Sequence, residues 1–199
     1  RFHVNKGFTT KSWDRAVKNL EKFNLRIKTY LMFKPPFMSE NDALEHGVKW
    51  IAAVADKSDE ISVNPMNIQR GTVIDRLHRN NEYRPPWLWS LVEMIRRAHP
   101  IIHPNGGVNG DKDQISRLII HPTAGGKIRG AHNCGSCDSQ VVTAIENYAV
   151  SGDLSEFDGL ECGCQSIWLE ELSLESDLPV PLGISKPRRG NLLNRLRSF

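Results

Sequence analysis

The chain has 199 residues, of which 39% are hydrophobic and 25% charged, and its formal net charge is +3. That balance excludes a disordered polymer, and no apolar run approaches the roughly eighteen residues that a membrane helix needs, so no membrane partner is expected. Four cysteines are too few for a secreted disulfide scaffold, and the opening "RFHVNKGFTT" carries no hydrophobic leader. The expectation is a reducing, cytoplasmic setting.

In chain order, "TTKSWDRAVKNLEKFN" begins with a threonine cap and places Trp13, Ala16, Val17, Leu20 and Phe23 at helical spacing. "LRIKTYLMF" is β-rich and stops at Pro35-Pro36. "SENDALEHGVKWIAAVAD" opens with Ser39 and Asp42 in a capping pattern and sets Ala43, Val48, Ile51 and Val54 on one helix face. "EISVNPMNI" is a second strand ending at Asn64-Pro65, and "GTVIDRLHRNNEY" a short helix. Alternating helices and strands with short links predict a parallel α/β sheet or barrel, whose ligand site lies at the strand C-terminal ends. Those ends are "KPP" and "NPMNIQRGT".

The next third predicts a proline-started helix in "PPWLWSLVEMIRRAHP", with Trp87, Leu88, Leu91, Val92 and Ile95 as its apolar set. Trp87 and Trp89 suit either core packing or nucleobase stacking. "SRLIIHP" and "KIRGAH", separated by "TAGG", are expected to form a hairpin, and "SQVVTAIENYAVSGD" a helix. "AGG" is too short for a phosphate-binding loop, and no nucleophile with an acid–base partner stands out.

All four cysteines fall in two close pairs, Cys134/Cys137 in "HNCGSCD" and Cys162/Cys164 in "LECGCQS". Two sulfurs two or three positions apart turn toward one point, and two such hooks complete a tetrahedron of thiolates. Zinc suits this arrangement, because it has no electronic preference for geometry and binds thiolate strongly. An auxiliary iron–sulfur cluster, disulfides or free thiols are the alternatives. His121 and His132 are nearby but are read as hydrogen-bonding residues outside the ligand set.

Charge is unevenly spread. Residues 153–177 hold eight acids and no lysine or arginine, whereas "SKPRRGNLLNRLRSF" holds Lys186, Arg188, Arg189, Arg195 and Arg197 and no acid. A basic tail either contacts nucleic-acid phosphates or is a solvated terminal helix. Lys127 and Arg129, beside the first cysteine pair, are further candidates for RNA contact.

The stretches "YLMFKPPFMSENDA" and "DEISVNPMNIQRGTVIDRLHRNNEYRPP" resemble the last βα units of the barrel in Elongator-type radical S-adenosylmethionine enzymes. With "EYRPPWLWSLVEMI", "PTAGGKIRGAHNCGSCD" and "ECGC", the order over residues 1–175 is similar to the archaeosine-forming radical enzymes of archaea. The resemblance implies the C-terminal half of a partial (β/α)6 radical SAM barrel over residues 1–84. A small zinc-stapled α+β subdomain would follow over 85–178, and a basic tail over 179–199. It further implies tRNA as substrate and an archaeosine synthase subunit that first transfers lysine to 7-cyano-7-deazaguanine. A radical lyase step then cleaves a carbon–nitrogen bond of that adduct.

By the same resemblance, S-adenosylmethionine lies near Lys34, Pro35, Asn64, Pro65 and Asn67, although Asn and Pro favour strand-ending turns in any protein. The family holds its [4Fe–4S] cluster with a C-x-x-x-C-x-x-C loop, which does not occur in these 199 residues. Its ligands are therefore expected outside this chain, and the chain alone is expected to be inactive. The alternative is a non-catalytic zinc-containing module that binds RNA or a partner.

Overall fold

The computed structural model describes residues 7–176. Helix α1 (Thr10–Lys22) leads to strand β1 (Lys28–Phe33), helix α2 (Glu40–Val54), strand β2 (Glu60–Pro65) and the short helix α3 (Val73–Arg79). Helix α4 (Leu88–Ile102), strand β3 (Arg117–Ile120), helix α5 (Asp138–Ser151) and helix α6 (Cys164–Ser176) follow. The three strands form one parallel sheet in the order β1-β2-β3, with Tyr30, Ser62 and Ile119 in register.

The caps explain where the helices start. Thr9 and Ser12 close a reciprocal capping box on α1, and the side chains of Ser39 and Thr72 accept the N–H groups of Asp42 and Asp75. Gly152, at φ +71°, ends α5 in the left-handed conformation that glycine adopts without penalty. Helix α4 is buried over most of its circumference: Leu88, Leu91, Met94, Ile95, Ala98 and Ile102 are all inaccessible. So broad an apolar face must be covered from more than one side. Here α4 packs against α2 and α5. Gly47 of α2 permits the close approach, since a Cβ there would stand 2.8 Å from the Met94 sulfur and 3.1 Å from the Phe33 ring.

The sheet is covered unequally. Phe33, Ile61, Val63, Leu118 and Ile120 join the main core, whereas Tyr30, Met32 and Asn64 on the alternate face are exposed. Among the described residues, β1 and β3 each pair on one side only.

The hairpin expected from residues 116–132 does not form. Residues 117–120 pair instead with β2 as the third parallel strand, and 123–131 fold back on themselves. Gly126 N–H donates to Ala131 C=O at 2.9 Å and Gly130 N–H to Lys127 C=O at 2.8 Å. This glycine-rich stretch closes tight turns and offers no extended edge. The sheet and the core both run across residues 84 and 85.

A buried histidine pair sits at the end of α4. The rings of His99 and His103 lie 4.7 Å apart at a 33° tilt, His99 Nδ1 lies 3.3 Å from the Tyr148 hydroxyl, and His103 Nε2 has no hydrogen-bond partner. Burial lowers the pKa of both, more than the nearby Asp153 and Asp111 raise them. The unfolded chain therefore takes up protons that the native state refuses, and stability should fall as pH drops below about 6.5. Urea unfolding between pH 7.5 and 5.5 checks this. The His99→Gln/His103→Gln variant should flatten the dependence, which separates it from thiolate protonation.

Candidate metal centre

Each strand hands its chain to the same end of the sheet. β1 leads into the N-terminus of α2, β2 into the loop before α3, and β3 into the segment that carries Cys134 and Cys137. The first cysteine pair precedes α5, with Cys137 as its N-cap residue, and the second ends at Cys164, the first residue of α6. Helix N-termini carry partial positive charge, so both places favour thiolate.

Asp138 shapes the first hook. Its buried carboxylate accepts N–H groups from Asn133 at 3.0 Å and Gly135 at 3.2 Å, drawing residues 133–138 into a tight loop. Gly135 takes φ +94° there, a conformation costly for any side chain. In the second hook Gln165 accepts the Cys162 N–H at 3.3 Å and returns its own to the Cys162 carbonyl at 2.9 Å.

The four sulfurs all lie within 4.8 Å of one another. The closest pairs are Cys134–Cys162 at 3.6 Å, Cys137–Cys164 at 3.7 Å and Cys134–Cys137 at 4.0 Å. Four thiolates about 2.3 Å from a single ion stand roughly 3.8 Å apart, so the spacing fits one tetrahedral metal ion. An iron–sulfur cube places an iron between its centre and each thiolate and needs a wider cage. The donor set therefore suits zinc, and these cysteines do not fit as ligands of a [4Fe–4S] cluster.

Burial separates the sulfurs into two classes. Cys137 and Cys164 are buried, Cys134 is exposed and Cys162 intermediate. Burial pushes the Cys164 thiol up to about 12 and raises Cys137 as well, whereas N–H groups of Ser136 and Cys137 pull Cys134 down to about 6. A divalent cation would offset the burial penalty and convert all four to thiolate, releasing protons as it binds. Trp89 Nε1–H donates to Cys164 Sγ at 3.2 Å and Asn133 Nδ2–H to Cys137 Sγ at 3.3 Å.

His121 and His132 lie outside the cluster. His121 is exposed, and His132 Nδ1 is 2.8 Å from the Gly130 carbonyl. Trp87 and Trp89 are both buried, their indoles engaged by Glu171 and Cys164, so neither presents a stacking face.

The strand-end residues divide. Asn64 is exposed on the uncovered face at the end of β2, and the Asn67 side chain accepts a hydrogen bond from Gln69 at 2.8 Å. Pro65 is buried and Pro35 half-buried. Lys34 turns inward: it is 5% exposed, at φ +52°, and its ammonium bonds the fully buried Glu40 carboxylate. Glu40 also accepts the Trp87 N–H at 2.9 Å, and Tyr83 donates its hydroxyl to the Lys34 carbonyl at 2.8 Å.

Of the cations near the first cysteine pair, Lys127 is exposed. Arg129 instead fastens the loop after β2, donating to Asp75 at 2.7 Å and to the Ile68 carbonyl at 3.1 Å. Arg129, Gly71 and Arg79 together hold the Asp75 carboxyl far below the usual carboxylate range. Arg188, Arg189, Arg195 and Arg197 lie outside the described residues.

The chain matches no family model. It is 34% identical over 175 residues to an archaeosine synthase subunit beta of Methanosarcina acetivorans, covering 88% of this chain and 47% of that protein. It is 35% identical over 166 residues to the protein of the same name in Thermococcus kodakarensis, covering 83% of this chain and 48% of the relative. Over this stretch the chain is homologous to archaeosine synthase subunit beta. An uncharacterized protein of Methanocaldococcus jannaschii is also similar, at 30% identity over 188 residues. The chain spans about half the length of these relatives. The likeness to archaeal archaeosine-forming proteins read from "YLMFKPPFMSENDA" through "ECGC" is borne out by the two named relatives. Among the described residues no helix is long and apolar enough to cross a membrane.

Proposed function

We propose that this chain is the C-terminal part of an archaeosine-forming radical S-adenosylmethionine enzyme, supplying the last strands of its barrel and a zinc-held unit beside the barrel mouth. The observation that carries this reading is the identity of 34–35% with archaeosine synthase subunit beta over more than four-fifths of the chain. The sheet supports it. All-parallel sheets bury both faces or close into barrels, and here helices cover one face while both edges stay free among the described residues. The uncovered face with Asn64 then becomes barrel interior.

In this reading a [4Fe–4S] cluster, held by residues outside these 199, together with S-adenosylmethionine would supply the radical chemistry for a lysine adduct of the deazaguanine base. Asn64 and Asn67 offer carboxamides to the cofactor, with Pro35 and Pro65 shaping the strand ends. Lys34 contributes through its backbone and its pairing with Glu40. The tail arginines and Lys127 hold tRNA phosphates, and a lysine-transferring partner subunit supplies the substrate. The test is direct. The intact protein, given adduct-bearing tRNA, S-adenosylmethionine and reductant, should form archaeosine, and the 199-residue chain alone should form none. Archaeosine-free product from the intact protein in a cluster-loaded state would refute the assignment.

Two variants separate the proposed roles. Arg188→Ala/Arg189→Ala should weaken tRNA binding in a filter assay and reduce its salt slope by about one unit per lost phosphate contact. Asn64→Ala in the intact protein should lower turnover while leaving tRNA affinity and slope unchanged.

A further inference from the structure

The first turn of α4 has orphan N–H groups, and Trp87 provides no side-chain cap. Two groups from elsewhere take them. Glu40 Oε1 accepts the Trp87 N–H at 2.9 Å, and Asn133 Oδ1 accepts the Trp89 N–H at 3.3 Å. Each acceptor is itself tied to a charged or metal-ligating group. The other oxygen of Glu40 holds the Lys34 ammonium, and the Asn133 amide donates to Cys137 Sγ at 3.3 Å. The Trp89 indole then reaches across to Cys164 Sγ at 3.2 Å. Three consecutive residues, 87–89, thus stand between the cysteine cluster and the buried ion pair that ends β1. The two sulfurs that receive these side-chain donors are the two buried ones, which have no solvent to turn to.

We infer that Trp89 and Asn133 are positioning residues that couple the cysteine centre to the Lys34–Glu40 pair through the first turn of α4. Metal occupancy thereby sets the geometry at the C-terminal end of β1. This rests on reading the four cysteines as a metal centre. A metal-bound thiolate is a charged acceptor, and N–H bonds to charged acceptors are the stronger kind. Binding the ion fixes Cys137 and Cys164, which fix Asn133 and Trp89, and the helix start follows. Glu40, bonded to that helix start, cannot shift without releasing either Trp87 or Lys34. The path is contiguous, every link is a hydrogen bond or a covalent neighbour, and its members after the sulfurs, Asn133, Trp89, Trp87, Glu40 and Lys34, are all buried.

The experiment uses the full chain with cobalt(II) and zinc(II) as probes. Trp89→Phe keeps the ring and removes only the indole donor. It should bind zinc about 10- to 100-fold more weakly, as loss of an outer hydrogen bond does elsewhere, and shift the cobalt–thiolate charge-transfer band. Amide hydrogen exchange at residue 34, at 37–40 and at 87–89 should be slower in the zinc-loaded than in the zinc-stripped chain. In zinc-saturated Trp89→Phe it should be faster than in the zinc-saturated wild type, with α1 amides as the unchanged control. An unshifted cobalt band together with wild-type exchange at 34 and 37–40 in saturated Trp89→Phe would overturn the coupling. If wild-type chain gives no cobalt–thiolate band at all, the metal reading itself fails, a distinguishable result.

Discussion

Cys164→Ser is expected to lose stoichiometric zinc and to release α6 from the rest of the fold. Structural zinc–thiolate sites contribute on the order of 10 kcal/mol of apparent binding free energy at neutral pH, and that energy is available only to a chain that brings its ligands together. The second cysteine pair lies at the start of α6, whose Trp168 donates to Ser90 Oγ at 2.8 Å and whose Glu171 accepts from Trp87 at 2.8 Å. With the ion lost, these bonds and the packing of Trp168 and Leu172 on the core must hold a helix whose Ile167, Leu169 and Leu174 are exposed. Metal analysis should find about one zinc per wild-type chain and much less in the variant. Urea unfolding should show residues 134–174 opening at lower denaturant than β1 and α2. Retention of one zinc and of the full transition by Cys164→Ser would refute the four-thiolate site.

Glu40→Gln is expected to destabilise the fold by about 3–5 kcal/mol, since it leaves a buried ammonium without its carboxylate. Lys34 and Glu40 side chains are 6% and 0% exposed, so water cannot replace the lost partner. Glutamine keeps an oxygen for the Trp87 N–H, which confines the change to the charge. The double variant Lys34→Met/Glu40→Gln should recover most of the loss, because removing both charges also removes the uncompensated desolvation. Chemical unfolding of the four-member cycle measures this. Glu40→Gln within about 0.5 kcal/mol of wild type would mean that Lys34 reaches solvent.

Much of the fold was legible because its signals are local. Ser39 with Asp42, the stop at Pro35-Pro36 and the apolar spacing from Leu88 to Ile95 each mark an element within a single window. The cysteine cluster was legible for the same reason, since short spacing forces two sulfurs toward one point. What was hidden depends on residues far apart in sequence. The turn signal "TAGG" points to a hairpin arm at β3, but its pairing partner lies more than fifty residues earlier in β2. Arg129 stands near the first cysteine pair as a candidate for RNA contact, and nothing local shows that it also donates to Asp75, 54 positions away. Glu40 lies inside the Ser39–Asp42 capping pattern, and nothing local shows that it caps α4 and neutralises Lys34. The Asn133 and Asp138 that flank the first cysteine pair did carry a signal. Short polar side chains beside a metal hook commonly shape it, and "HNCGSCD" contains both.

The proposed role in completing archaeosine in tRNA is checked by the tRNA nucleosides of the organism that encodes this chain, with and without the intact protein. Loss of the protein should abolish archaeosine and leave the lysine adduct of the deazaguanine base in its place. The wild-type protein should restore archaeosine, and the Cys164→Ser and Asn64→Ala forms should restore much less. Undiminished archaeosine in cells lacking the protein, with no adduct accumulating, would rule out the proposed function.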